Sequence, residues 1–226
     1  MIKEITVAGI KLDNYTVKES LIMIDKAFYE NRFTTVEEIG MRTIFLAQEN
    51  ETIKNLIEGL DITVISEVGI LDVAKENTQQ RKYEIEGNEF FFQLFKRIER
   101  NNKSIFLLGE TLEEINKAKE FISDEFSKIR FVGEVAICET DVEEKVINDI
   151  NMQHPDVILS VLPSPIQEQF LANHKDKLLA NLWYGVGDGK FAKRKHRFTA
   201  MLIKLFRVKK LSKYIKKYEE QEEYKS

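Results

Sequence analysis

The chain has 226 residues, 43% hydrophobic and 32% charged, which is enough apolar material for a sizeable core and excludes a disordered chain. Its single cysteine, Cys138, excludes a disulfide framework and a cysteine-built zinc site, and reads as a small core residue in a reducing, cytoplasmic setting. The net charge is only −4, no apolar run reaches the ~18 residues of a membrane span, and the start MIKEITVAGI lacks the apolar stretch of an export signal.

In chain order, residues 5–13 predict a short hairpin turning at Gly9. Residues 17–31 carry apolar side chains at helical spacing: Leu21, Ile24, Ala27 and Phe28. A strand is predicted at 33–39, helices at 42–49 and 51–58, and a strand at 62–68 that ends on Glu67. A helix at 88–101 is followed by the apolar strand SIFLLG, 104–109. Thr111 then caps a helix, with Glu114 completing the capping pattern. Residues 130–136 form a strand, 140–153 a helix with acidic residues in its first turn, and 155–163 another strand. Pro165 falls at the first turn of a helix over 164–178, and 182–189 is a last strand running into glycines. Strand–helix alternation of this kind predicts a mostly parallel, Rossmann-like α/β sheet with helices on both faces.

Ligands of such sheets bind beyond the carboxyl ends of the strands. That rule selects Glu67, Gly109–Thr111, Pro163–Gln167 and Gly185–Gly189, which are expected to converge. Glu67, with Asp72 as its rival, is a carboxylate that could serve as a general base, or a solvated edge residue. Gly109 marks either a plain strand-to-helix turn or one that approaches a ligand, and Glu110 would repel phosphate there. Gln167 and Glu168 could meet sugar hydroxyls or a base edge, or simply face solvent in the first turn of their helix. Gly185, Gly187 and Asp188 form a loop able to pack on a nucleotide, although the spacing is not that of a dinucleotide fingerprint. His154, His174 and His196 have no metal-ligand spacing; His154 reads as a loop residue and His174 as a helix-surface residue.

Between residues 190 and 218 there are twelve Lys/Arg and no Asp/Glu, so the rest of the chain carries −16. The apolar residues Phe198, Met201, Leu202, Leu205, Val208, Leu211, Ile215 and Tyr218 form one helical stripe. The chain therefore divides into an α/β domain, 1–190, and a basic amphipathic helical appendage, 191–226. Lys193, Arg194, Lys195, Arg197, Lys204, Arg207, Lys209 and Lys210 are the residues expected to meet an anionic membrane surface. Packing of the stripe on the body, or on a second copy in a homo-oligomer, is the competing reading. Nucleic acid is not expected as a partner, because the body is acidic and no recognition motif is present.

In order and spacing these segments resemble the WecB/TagA/CpsF glycosyltransferase family over nearly the whole chain. The carriers are GIKLDN at Gly9–Asn14, FLLGE at 106–110, PDVILSVLPSPIQEQF with Pro155, Asp156, Pro165, Gln167 and Glu168, and GVGD at Gly185–Asp188. The resemblance implies a UDP-sugar donor, typically UDP-N-acetylmannosamine, and transfer to a polyprenyl-linked sugar. It also implies metal-independent chemistry without a cofactor, and a peripheral location at the inner face of the cell membrane. It places Glu67 where the family has its proposed catalytic Asp, and aligns Glu38, Ile39 and Gly40 with a T-P-N segment that is not retained. A catalytically degenerate relative that binds a nucleotide-sugar or serves as a scaffold is the alternative.

Overall fold

The computed structural model describes residues 3–139, 143–187, 191, 208, 210–215 and 220. The hairpin pairs β1 (Glu4–Val7) with β2 (Ile10–Asp13), and Gly9 takes the positive φ of 77° that its turn needs. The remaining described strands are β3 (Thr34–Ile39), β4 (Ile62–Ile65), β5 (Ser104–Gly109), β6 (Arg130–Ala136), β7 (Val157–Ser160) and β8 (Leu182–Gly185). They form one six-stranded sheet in the order β4-β3-β8-β7-β5-β6, with every pairing parallel. All six carboxyl ends therefore lie along one rim.

The helices are α1 (Val17–Tyr29), α2 (Met41–Glu49), α3 (Glu51–Glu58), α4 (Val68–Val73), α5 (Gln79–Glu86), α6 (Glu89–Arg100), α7 (Leu112–Glu125), α8 (Glu143–Met152) and α9 (Ile166–His174). Capping boxes open α1 at Thr16/Glu19 and α7 at Thr111/Glu114, each satisfying two otherwise orphaned amides. On α6 the apolar residues Phe90, Phe91, Leu94, Phe95 and Ile98 share one face and are buried. They join β3, β5, β7 and β8 residues in the core on that side of the sheet. The opposite side is closed by α8 and α9 over Phe106, Ile158 and Trp183.

Two of the family-like motifs are staples. Asp156 accepts from the Ser104 backbone N–H (2.8 Å), the Ser104 hydroxyl (2.9 Å) and Lys103 Nζ (2.9 Å), fixing β7 to the start of β5. Burial alone would raise this carboxyl, but those bonds hold it below its ordinary range. Asp13 and Thr63 bond reciprocally, side chain to backbone, and tie the hairpin to β4.

Several expectations are corrected. The strand at 62–68 stops at Ile65, and Glu67 is instead the N-cap residue of α4, because the chain turns into a helix once it clears the sheet. Pro165 occupies the N-cap position of α9 rather than its first helical residue. Cys138 is exposed, since the strand ends at Ala136 and a single 3-10 turn follows. His174 is buried, with its edge against Phe170 and its Nε2 2.7 Å from Glu143 Oε2. His154 does sit in a loop, at positive φ, while His196 lies outside the described residues.

Of the appendage, Leu211 is fully buried and Val208, Tyr214 and Ile215 pack with it against the hairpin, α2 and α4. Lys210 lays its ammonium over the Phe45 ring at 4.7 Å, and Tyr214 reaches Glu49 Oε1 at 3.3 Å. At these positions the stripe covers the body. Lys193, Arg194, Lys195, Arg197, Lys204, Arg207 and Lys209 lie outside the described residues.

Candidate active site at the carboxyl rim of the sheet

The rim is built from the turns that follow β3, β4, β5, β7 and β8. Gly40 opens α2 without a side chain of its own to cap it, and the Met41 N–H donates to Glu67 Oε1 at 2.9 Å. A Cβ on Gly40 would stand 2.9 Å from that same oxygen. Glycine at 40 thus makes room for the carboxylate at 67, which caps the amide end of α2. Glu67 is half-buried at the rim.

Gln167 and Glu168 depart from the solvent-facing alternative, being only 1% and 2% exposed. Polar residues in a first helical turn usually meet water; these are turned under the rim. Gln167 lies flat on β8, where a Cβ on Gly185 would be 2.5 Å from its Nε2. Its Oε1 accepts from the Gly187 N–H at 3.4 Å. Gly187 has φ +65°, and nothing among the described residues comes within 4 Å of where its Cβ would stand, so glycine is needed there for its conformation. Glu168 accepts from Ser164 Oγ at 2.5 Å, and Ser164 stands 3.3 Å from the Thr43 hydroxyl of α2. The turns after β3, β7 and β8 are therefore tied together.

Gly109 shares the rim but is buried. Its missing side chain is replaced by Ile115 and Val161, which a Cβ would meet at 2.6 and 3.0 Å. The Glu110 carbonyl accepts from the Cys138 N–H at 3.1 Å, joining the ends of β5 and β6. Gly109 stands four strands from β4, on the order of 19 Å at ordinary strand spacing. One extended ligand could touch both ends of the rim; one small ligand could not. Asp188 lies outside the described residues.

Beside Glu67, a small solvent-open cleft lies between the ends of β3 and β4 and helices α1, α5 and α6. Tyr15, Glu38, Ser66, Arg81, Glu84 and Asn88 supply its polar wall. Arg81 is 4% exposed and bonds Asn14 Oδ1 (3.2 Å) and Glu84 Oε2 (2.7 Å). The Tyr184 hydroxyl donates to Glu38 Oε1. Burial, and then the Glu38 charge, raises the Tyr184 phenol well above its ordinary value near 10, so it remains a donor. Sequence reasoning missed Arg81, Glu84 and Tyr184. The available signal was Asn14 in GIKLDN, which is fully buried and needs a polar partner.

Among the described residues, no group of three or more His, Cys, Asp and Glu is placed to hold a metal ion. No described helix is long and apolar enough to cross a membrane.

A profile of the glycosyl transferase WecG/TagA/CpsF family matches residues 5–193. Two similar curated proteins come from Staphylococcus aureus, strains NCTC 8325 / PS 47 and MRSA252, and both are called N-acetylglucosaminyldiphosphoundecaprenol N-acetyl-beta-D-mannosaminyltransferase. Each is 23% identical over 187 residues, covering 81% of this chain and 73% of the relative. With the parallel sheet, the Gln167–Gly187 contact and the Glu67 carboxylate on one rim, this chain belongs to the glycosyl transferase WecG/TagA/CpsF family.

Proposed function

We propose that the protein transfers an N-acetylhexosamine from a UDP-sugar to a polyprenyl-diphosphate-linked sugar in cell-wall or surface-polysaccharide synthesis. The observation that carries this reading is the Glu67 carboxylate, held at the N-terminus of α2 on the rim that also presents the Gly185–Gly187 turn. A carboxylate placed there can take the proton of an acceptor hydroxyl as it attacks the anomeric carbon. The turn at Gly187, with Asp188, is the assigned approach for the nucleotide, and Gly109, Glu110 and Pro165 border the same rim. The names of the staphylococcal relatives support the transferred sugar and the acceptor class.

The test is UDP release from UDP-N-acetylmannosamine in the presence of a diphosphoprenyl-linked N-acetylglucosamine. Turnover is expected to persist in EDTA. Glu67→Gln is expected to lower it roughly 100-fold or more while leaving Tm unchanged, because the amide oxygen still accepts from Met41 N–H.

A second reading is a nucleotide-sugar-binding relative without turnover. It is favoured by the packing of Val161 on Gly109 and by the use of Glu67 as a helix cap. It requires that UDP-N-acetylmannosamine binds without release of UDP, and that Glu67→Gln behaves as wild type in cells.

The acceptor class would place the protein at a membrane surface. Lys193, Arg194, Lys195 and Arg197 are the residues assigned to anionic headgroups. Neutralising these four to Gln in the full chain should weaken sedimentation with anionic vesicles, as should raised salt. Equal binding to neutral vesicles would remove the electrostatic claim.

A further inference from the structure

Beneath the rim, on the α3/α9 side of the sheet, lies a buried polar cluster that the transfer chemistry does not use. Glu37 of β3 is fully buried, and Trp183 Nε1 donates to its Oε1 at 3.0 Å. Its other oxygen, Oε2, has no hydrogen-bond partner among the described residues. Glu168 of α9 faces it closely enough for the two charges to interact, and the Gln167 amide donates to Glu37. Both glutamates line one largely apolar cavity of about 110 Å³ with Leu56, Leu60, Leu171 and Lys175. Two ionised carboxylates facing each other in such a site would repel strongly, and the Glu37 Oε2 needs a donor. A single proton between them answers both demands, as in other carboxyl pairs that share a site.

We propose that Glu37 and Glu168 hold one proton between them, and that this acid–carboxylate pair is the positioning element for Gln167 and, through it, for the Gly185–Gly187 turn. The chain of contacts is short. Glu37 receives the Gln167 amide, Gln167 lies on Gly185, and Gln167 Oε1 receives the Gly187 N–H. On the other side, Glu168 holds Ser164, which reaches Thr43 of α2. Loss of the shared proton would set two charges face to face and push Glu168, and with it the α9 turn that carries Gln167, away from β3, loosening the turn that the proposed function assigns to the nucleotide. The charged groups facing Glu37 are Glu168 on α9 and Lys175 in the 3-10 turn after it. Asp61 reaches Thr35 of the same strand, and Asp13 reaches Thr63, the register partner of Glu37 on β4. The residues of α3 and β8 that face it are neutral.

The chain has a single tryptophan, Trp183, bonded directly to Glu37, so its fluorescence reports on the pair. In the intact protein, the emission is expected to move with pH through one transition near pH 8, where burial first and the Glu168 charge second place Glu37. The 15N–1H signal of Gly187 should move with the same midpoint. Affinity for UDP-N-acetylmannosamine should fall across it by roughly five-fold, the loss of about one hydrogen bond. Glu37→Gln supplies a permanent neutral donor and should abolish the transition while keeping affinity at both ends. Glu168→Gln removes the neighbouring charge and should move the transition to lower pH, so it carries the test if Glu37→Gln fails to fold.

A transition that survives Glu37→Gln, or one that Glu168→Gln does not move, overturns the shared proton. A Gly187 signal that ignores the transition overturns the positioning role. The part concerning the nucleotide rests on the proposed function, and absence of UDP-N-acetylmannosamine binding at every pH would sink that function. The Trp183 and Gly187 readings would still decide the inference.

Discussion

Glu37 and Glu38 are adjacent on one strand and have opposite fates. A strand sends successive side chains to opposite faces. Glu37 goes to the α3/α9 face, where Trp183, Gln167 and Glu168 surround it. Glu38 goes to the α5/α6 face, where it meets Tyr184 at the wall of an open cleft. Burial pushes the first carboxyl up to about 8, with the Glu168 charge adding to it. The lesson is that one residue type, in one element, becomes a buried acid or a cleft-lining acceptor according to its face alone. The buried member supports the rim from below, and the open member borders it.

The largest effect is expected where the buried face touches the rim. Gly185→Ala would place a methyl group 2.5 Å from the Gln167 amide, whose own position is fixed by Glu37. Overpacking of this kind costs about 1–3 kcal/mol, or a Tm drop of roughly 2–10 °C in a chain of this size. Gln167 would also leave Gly187. Thermal melting of the variant checks the first point, and UDP-N-acetylmannosamine affinity the second. An unchanged Tm would show that the two layers are not packed as tightly as Gly185 requires.

Much of the fold was legible because it is written in short-range chemistry. The hairpin at Gly9, the Thr111/Glu114 capping box and the apolar stripe of α6 each need only a few neighbouring residues. The strand–helix alternation gave the parallel sheet, and the carboxyl-end rule gave the rim. What sequence could not show is which polar residues the fold would bury. QE after a proline reads as a solvated first turn, yet Gln167 and Glu168 are buried because β3 and β8 offer partners more than a hundred residues away or on a neighbouring strand. Helix α5 was missed for the converse reason. It has no apolar stripe, and it is anchored through the Thr78 cap and buried Arg81 rather than by an oily face. His174 and Cys138 exchanged their expected places because Cys138 falls in the 3-10 turn past β6, and α9 packs deeper than local composition indicates.

The next effect sharpens the comparison by pH. The unfolded chain releases the Glu37 proton near 4.5, while the fold keeps it to about 8. Over that window the native state holds more protons, so this residue makes stability fall as pH rises, and the loss is complete above about 8. Glu37→Gln removes the dependence. Relative to wild type, the variant should therefore gain Tm progressively as pH rises from 5 to about 8, and nothing below pH 4.5. Melting curves at constant ionic strength across this range decide it. A gain independent of pH would mean that packing, not the proton, distinguishes the two residues.

The smallest effect on stability belongs to the open face. In Glu38→Gln, the amide oxygen can still accept from the Tyr184 hydroxyl, and the side chain borders a solvent-open cleft rather than a sealed core. Substitutions away from a packed core usually stay within about 0.5 kcal/mol, which here is under about 2 °C of Tm. Loss of the carboxylate should appear instead in ligand affinity, because Glu38 shares its wall with Ser66, next in sequence to Glu67. Titration with UDP-N-acetylmannosamine, run beside the melts, separates the two outcomes. If Glu38→Gln shifted Tm with pH as strongly as Glu37→Gln does, face would not be what divides these neighbours, and the cleft would have to be read as part of the core.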